Sequence, residues 1–337
     1  MIRVAAYTGG ASVPSARFRV RQLIPDLREH GVEVFEYPAA FGSYPPINRV
    51  LRPAWGVAAL VERTVAVRSG RYADVTLLQR EMLSTLRTVE FLTRRPRILD
   101  MDDAIWLHSP SRMAALARDV DMIVCGNSYL AEWASQVNPH TAIVPTGVDV
   151  DVYTPAESNT SGPLIGWCGT SSGHPYLLSI EGALASALAA VPEARVRVVS
   201  DRRPMFTRLP ADRIEFVAWS PENEVRLLQG LSIGIMPLAD TAWTRGKCSF
   251  KMLTYMACGV AVVASDVGMN ADVFRRGACG VPVRSTQEWS DALVHLLRHD
   301  AERRAMGREG RRIVEVDFST RETSAALARV IKDVAGR

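Results

Sequence analysis

Leu164-Ile165-Gly166-Trp167-Cys168-Gly169-Thr170-Ser171-Ser172-Gly173-His174-Pro175 passes from an apolar run, through a turn of small and hydroxylated residues, to a proline. A short apolar run bounded by glycine reads as a buried strand, and proline fits the first turn of a helix, where its missing N–H has no intrahelical partner anyway. Strand, glycine turn and helix make up half of a βαβ unit. The unpaired N–H groups of such a turn and helix start favour an anion, which makes Gly169, Thr170, Ser171 and His174 candidate anion-binding residues. The competing reading is a mere connecting loop.

After the strand Leu164–Trp167 of this unit, further apolar runs follow at Arg195–Ser200, Ile214–Val217, Ser232–Met236 and Val260–Ala264, with helical periods between them. A matching series precedes it at Ile2–Tyr7, Val32–Tyr37, Val75–Leu78, Arg97–Leu99, Met122–Cys125 and Thr141–Val144. Each series predicts a parallel sheet covered by helices on both faces. Between them Gly147–Pro163 clusters Asp, Pro, Ser, Asn, Thr and Gly without apolar periodicity, the mark of a linker. The expected organisation is an N-terminal domain at 1–155, a C-terminal domain at 156–318 and a last helix at 319–337 packing back on the first domain. Two such α/β domains imply a cleft, and ligands are expected at the C-terminal ends of the strands. A helix is expected at Arg17–His30, closed by Gly31, and three helices after Gln287 at about 287–297, 301–316 and 320–334.

At 337 residues and 47% hydrophobic composition, the chain has ample core for two domains. Seventeen basic residues balance seventeen acidic ones up to Thr160, so the whole net charge of +4 arises later, too small a bias for a general nucleic-acid binder. Cys125, Cys168, Cys248, Cys258 and Cys279 are odd in number and form no CxxC pair, which fits a reduced compartment. Met1–Tyr7 reads as a first strand rather than a signal sequence, and no run approaches a membrane span. A cytoplasmic location is expected, with peripheral contact at the inner membrane face.

Lysine occurs at three positions, Lys247, Lys251 and Lys332, and two of these flank the start of a helix read over Cys248–Cys258 and ended by Gly259. On one side of adjacent turns, with the helix dipole behind them, Lys247 and Lys251 would suit a diphosphate. Gly9 and Gly10 form a second glycine turn after the first strand, followed by Arg17, Arg19 and Arg21. Arg17 and Arg21 share a helical face and can meet an anion or face solvent. Asp100, Asp102 and Asp103 follow a strand end, where carboxylates can hold Mg²⁺, act on an acceptor hydroxyl or cap the chain. His295 and His299 have the i, i+4 spacing of a metal pair but lack a third ligand nearby, so no metal is assigned. Phe41–Arg68, with Tyr44-Pro45-Pro46, Trp55 and scattered arginines, reads either as a membrane-surface or lipid-carrier contact or as a folded lid.

Taken together, several motifs resemble the family 4 glycosyltransferases. They are Ile165-Gly166-Trp167-Cys168-Gly169-Thr170, Gly234-Ile235-Met236-Pro237-Leu238-Ala239-Asp240, Gly246–Gly259 and Val262–Gly268, with weaker matches at Ser15–Arg19, Asp102–Trp106, Gly126–Leu130 and Val144–Asp149. The resemblance implies a GT-B fold of two Rossmann-like domains and transfer from a nucleotide-sugar, UDP- or GDP-linked, with retention of anomeric configuration and no metal or other cofactor. It places the donor nucleotide in the C-terminal domain and the acceptor, a sugar, glycan, lipid-linked molecule or natural product, on the N-terminal one. Ala218, Trp219 and Ser220 then face the nucleobase, and Lys247 and Lys251 the phosphates. Arg245, Thr254, Met269 and Asn270 fall on the donor side. Gly9, Gly10, Arg17, Arg19, Asp102 and Asn127 fall on the acceptor side, with Asp103 beside the chemistry. Two glutamates spaced eight apart in the family fall here on Gly246 and Thr254, and the family's basic pair after the first strand of the second domain is replaced by Ser171-Ser172-Gly173-His174. These departures motivate a second reading, a catalytically silent GT-B module that binds a nucleotide-sugar or a protein. A nicotinamide oxidoreductase would need a glycine fingerprint that is missing.

Overall fold

The computed structural model describes residues 1–84, 89–156 and 162–336, so 157–161 of the expected linker lie outside the described residues. The chain forms two compact units. The first comprises Met1–Gly147, Gly246–Cys248 and Thr320–Arg337, and the second Val148–Arg245 and Ser249–Ser319.

The first unit holds a parallel sheet of β1 (Ile2–Thr8), β2 (Val32–Pro38), β3 (Val75–Gln79), β4 (Arg97–Met101), β5 (Met122–Cys125) and β6 (Thr141–Ile143), in the order β2-β1-β3-β4-β5-β6. The second holds β7 (Leu164–Cys168), β8 (Arg195–Ser200), β9 (Ile214–Ala218), β10 (Ile233–Met236), β11 (Ala261–Ser265) and β12 (Gly280–Val283), in the order β12-β11-β10-β7-β8-β9. Counted from β7, the second order is that of the dinucleotide-binding Rossmann sheet, with its reversal between β7 and β10. In the first unit the reversal lies between β1 and β3.

The helices of the first unit are α1 (Pro14–Arg19), α2 (Ile24–Glu29), α3 (Arg52–Ser69), α4 (Pro110–Asp119) and α5 (Ser128–Ser135). Those of the second are α6 (His174–Ser179), α7 (Glu181–Ala190), α8 (Glu224–Gln229), α9 (Ala242–Arg245), α10 (Phe250–Ala257), α11 (Met269–Phe274), α12 (Thr286–Arg298) and α13 (Asp300–Asp317), and α14 (Thr320–Ala335) returns to the first unit. There Leu327, Ala328, Ile331 and Val334 pack with Leu23, Leu27, Val4 and Val75 in one core. A fully buried aliphatic side chain contributes about 1.5–3 kcal/mol, so α14 is an integral part of that core. Gly147 leaves the first unit beside it, where a Cβ would stand 2.8 Å from Thr323 Oγ1. In the second unit Ile165, Val196, Ile233 and Val263 of the strands meet Leu184, Leu188, Leu293 and Leu296 of α7 and α12.

The helix expected at Arg17–His30 is divided into α1, a 3-10 turn at Arg21–Leu23 and α2, because Val20 leaves helical geometry and Pro25 restarts the chain. The strand β12 was not expected. It is an edge strand carrying Pro282, whose lack of a ladder donor masks the pattern.

Candidate functional site

In the second unit the connections after β7 and β10 diverge to opposite faces of the sheet, and their C-terminal ends frame the crevice where such folds bind ligands. Lys251, the second residue of α10, holds its ammonium 4.7 Å from the centroid of the Trp167 ring. Trp167 is buried near the end of β7, so its indole face is a fixed platform, and a desolvated cation–π contact of this kind contributes up to about 2 kcal/mol. Gly169 makes the approach possible: a Cβ there would lie 2.5 Å from Lys251 Nζ, and one at Gly173 would lie 2.9 Å from Trp167 Cζ2. The turn after β7 thus has the Lys251 ammonium of α10 beside it.

The neighbouring strand ends complete the edge. Ser171 donates its backbone N–H and its hydroxyl to the carboxylate of Asp201, the residue after β8, at 2.6 and 2.8 Å. These bonds hold the Asp201 carboxyl below its ordinary range. His174 Nε2 lies 3.1 Å from Ser200 Oγ, and Thr170 Oγ1 lies 2.8 Å from Ser172 Oγ. Trp219, 43% exposed, donates its backbone N–H to Ser200 O at 3.0 Å, which ties the end of β9 to that of β8. Gly169, Thr170, Ser171, His174, Ala218, Trp219 and Ser220 therefore gather along the ends of β7, β8 and β9, with Lys251 beside them. Neither Asp201 nor the indole platform of Trp167 was singled out in sequence. The acid directly after the second strand of a Rossmann unit is the signal that would have found Asp201.

Residues 163–299 match the family model of group 1 glycosyl transferases. The match takes in the whole second sheet and α12. No curated protein sequence is significantly similar to the chain. Along its length the chain is similar to the solved structure of sucrose-phosphate synthase from Thermosynechococcus elongatus, at 15% identity, TM-score 0.73 and 100% coverage of both chains. It is also similar to Anabaena HepE in complex with UDP-glucose, at 13% identity and TM-score 0.73, covering 98% of this chain and 99% of that one. WaaG, a glycosyltransferase involved in lipopolysaccharide biosynthesis, matches at 14% identity and TM-score 0.68, with 98% and 99% covered. At such identities the likeness establishes the fold, which is GT-B.

Several expected positions have other surroundings than the sequence suggested. The helix α10 starts at Phe250, because Ser249 adopts a left-handed backbone (φ 51°), so Lys247 lies outside the helix and belongs to the first unit. The paired-lysine face expected over adjacent turns is therefore not formed. Ser249 Oγ donates to Asn270 Oδ1 at 2.6 Å and Asn270 Nδ2 to Ser265 O at 3.0 Å, so fully buried Asn270 anchors the start of α10; Met269 is buried beside it. Thr254 is buried and returns its hydroxyl to Lys251 O at 2.8 Å. Arg245 pairs with Asp240 at 2.6 Å on the surface.

In the first unit Arg19 is buried, not presented to an acceptor. Its guanidinium pairs with Asp100, Nε to Oδ2 at 3.1 Å, and donates to Val144 O at 2.7 Å. Arg17 lies 4.9 Å from the Phe18 ring centroid, and Arg21 binds Glu36 at 2.6 Å from the 3-10 turn, so the two do not share one helical face. Gly9 stands against Ser43, whose Oγ would lie 3.3 Å from a Cβ there, and Gly10 continues the turn with φ 145°. Arg80, with a left-handed backbone (φ 63°), clamps Asp102 at 2.5 Å and Asp103 at 2.6 Å. Burial pushes both carboxyls up; Arg80 overrides this for Asp102, which ends below its ordinary range, but not for Asp103, which ends above. Lys247 Nζ lies 3.9 Å from Asp103, and Asn127, the buried cap of α5, holds the Lys247 carbonyl at 3.0 Å. Gly246 packs so closely on Ala104 that a Cβ would stand 2.7 Å from its methyl, which leaves no room for a glutamate. His295 and His299 stack at 4.1 Å with His295 on Glu302 at 2.7 Å, and no metal-holding group of three or more His, Cys, Asp and Glu occurs among the described residues.

Proposed function

We propose that the chain is a family 4 glycosyltransferase that moves a sugar from a UDP- or GDP-linked donor to an acceptor hydroxyl, with retention of configuration and without a metal. The observation that carries this reading is the Lys251 ammonium on Trp167, beside the Gly169–Gly173 turn at the sheet reversal of a group 1 glycosyl transferase domain. A cation beside a turn of small and hydroxylated residues at that point suits a diphosphate. As the bond from the anomeric carbon to the diphosphate oxygen breaks, Lys251 stabilises the charge on the departing phosphate. The acceptor oxygen bonds to the anomeric carbon on the same face, and the departing phosphate oxygen takes its proton. Ser171, Ser220 and Trp219 border the path of the nucleoside along β8 and β9. On the acceptor side Asp103, whose raised carboxyl is tempered by Arg80 and Lys247, orients the hydroxyl.

Isothermal titration in EDTA against UDP, GDP, ADP and dTDP tests the reading. Micromolar binding of one diphosphate, weakened about tenfold or more by Lys251→Ala, is expected for a lost charge-assisted contact. Turnover of the matching nucleotide-sugar with the anomeric configuration kept, followed by NMR, completes the test. Folded protein that binds no diphosphate overturns it, and binding without turnover leaves a silent module.

A further inference from the structure

The helix α3 (Arg52–Ser69) inverts the usual amphipathic arrangement. Its inward face carries Ala59, Ala66, Val67 and the fully buried Arg63, whose guanidinium donates to Tyr37 O at 2.9 Å and Thr8 O at 2.8 Å. Its outward face carries Val57, Leu60, Val61 and Val65 at helical spacing, and Val57, Val61 and Val65 are 66%, 57% and 58% exposed. The segment leading into it adds Ile47 at 98% and Val50 at 84% exposure, with Phe41, Tyr44 and Leu51 also exposed. Two bonds tie that segment to the helix: Trp55 Nε1 to Phe41 O at 2.9 Å and Arg52 Nε to Pro46 O at 3.1 Å. An apolar face of this extent on a water-facing helix costs solubility and marks an interaction surface.

Charge identifies the partner. Between Phe41 and Tyr72 the exposed ionic side chains are Arg49, Arg52, Arg68 and Arg71, and the acid Glu62 is half buried against Arg63 at 3.5 Å. A second copy of the same face would bring arginines against arginines, which disfavours self-association. Arginines bordering aliphatic and aromatic side chains match an anionic lipid surface: the valines and leucine enter the acyl boundary, the tyrosines sit at headgroup level and the long arginine side chains reach the phosphates. No helix among the described residues is long and apolar enough to cross a membrane. We propose that the outward face of α3, with the Phe41–Leu51 segment leading into it, docks this protein in the plane of an anionic membrane surface.

Co-sedimentation of the full chain with vesicles of phosphatidylcholine, alone or with phosphatidylglycerol admixed, tests this independently of any nucleotide. Wild type is expected to pellet with the anionic vesicles and to be released by high salt. Val57→Asp with Val61→Asp, and separately Arg49→Ser with Arg52→Ser, should each lower the bound fraction roughly tenfold, each pair removing about two apolar or two electrostatic contacts. These side chains are exposed, and circular dichroism and Tm verify that the variants fold. Hydrogen exchange of wild type should slow within α3 when anionic vesicles are added, a readout that needs no variant. Wild type that ignores anionic vesicles, variants that bind as wild type does, or a dimer abolished by Val57→Asp without vesicle binding would each overturn the proposal.

Discussion

The two units share one plan of parallel strands and covering helices, yet they treat their strand ends differently. In the second, glycines at 169 and 173 leave room at the end of β7 for Lys251 to lie on the Trp167 indole. In the first, the strand ends are occupied by ion pairs: Arg19 with Asp100, Arg80 with Asp102 and Asp103, and Arg21 with Glu36. The difference teaches that arginines near a ligand-binding edge are not by themselves a binding site. Where each is paired with a carboxylate, the charge is spent on holding loops, whereas the proposed donor side places a lysine against an indole face.

The sharpest way to break this contrast is Arg19→Ala. If the pair is structural, removal leaves Asp100 buried and uncompensated and destabilises the protein by about 3–5 kcal/mol in urea unfolding; a small change with weakened acceptor turnover would return Arg19 to the site. Next in size, Gly246→Glu introduces the carboxylate that the resemblance to family 4 glycosyltransferases would place there, but it must displace Ala104 and is expected to cost about 1–3 kcal/mol of stability without raising turnover. Lys251→Arg sharpens the second half of the contrast. It keeps the charge but brings a broader head to a place fitted by Gly169, so diphosphate affinity should fall several-fold, roughly 1 kcal/mol, rather than recover.

The smallest effect concerns Glu81, beside Ser84 at a cavity of about 380 Å³ also lined by Glu90 and Arg112. Glu81 Oε2 lacks a hydrogen-bond partner among the described residues, and burial raises the Glu81 carboxyl above its ordinary value of 4.5. A folded-state pKa raised in this way favours the native state below 4.5, an advantage lost as pH climbs through the raised value. Glu81→Gln should therefore add about 1 kcal/mol at pH 7. The gain should vanish in Tm measurements below the ordinary carboxylate range.

Much of the architecture was legible in the chain because period and punctuation act locally. The runs at Val32 and Val75, the turn at Gly169 and the stop at Gly31 each needed a few neighbouring residues. Position β12 was hidden by Pro282, and the helix break at Ser249 by a left-handed backbone that serine seldom adopts, and that break separates Lys247 from Lys251. The candidate site was legible only in part. The glycine turn and Lys251 stood out, but the partners that absorb Arg19 and Arg80 lie 81 and 22 residues away, beyond the reach of any local pattern. Likewise the contact of Gly246 with Ala104 depends on a crossing of distant segments, so the sequence gives no sign that a side chain at that position would meet Ala104.

The placement of α14 bears on how the protein is made. A ribosome releases the strands of the first unit early, but the helix carrying Leu327 and Ile331 emerges only after the whole second sheet. Until then Leu23 and Leu27 lack their cover, and the nascent first unit must wait, part-built and sticky, through the synthesis of its neighbour. A stop codon before Thr320 would spare the second sheet, yet send the first unit to chaperones or proteases.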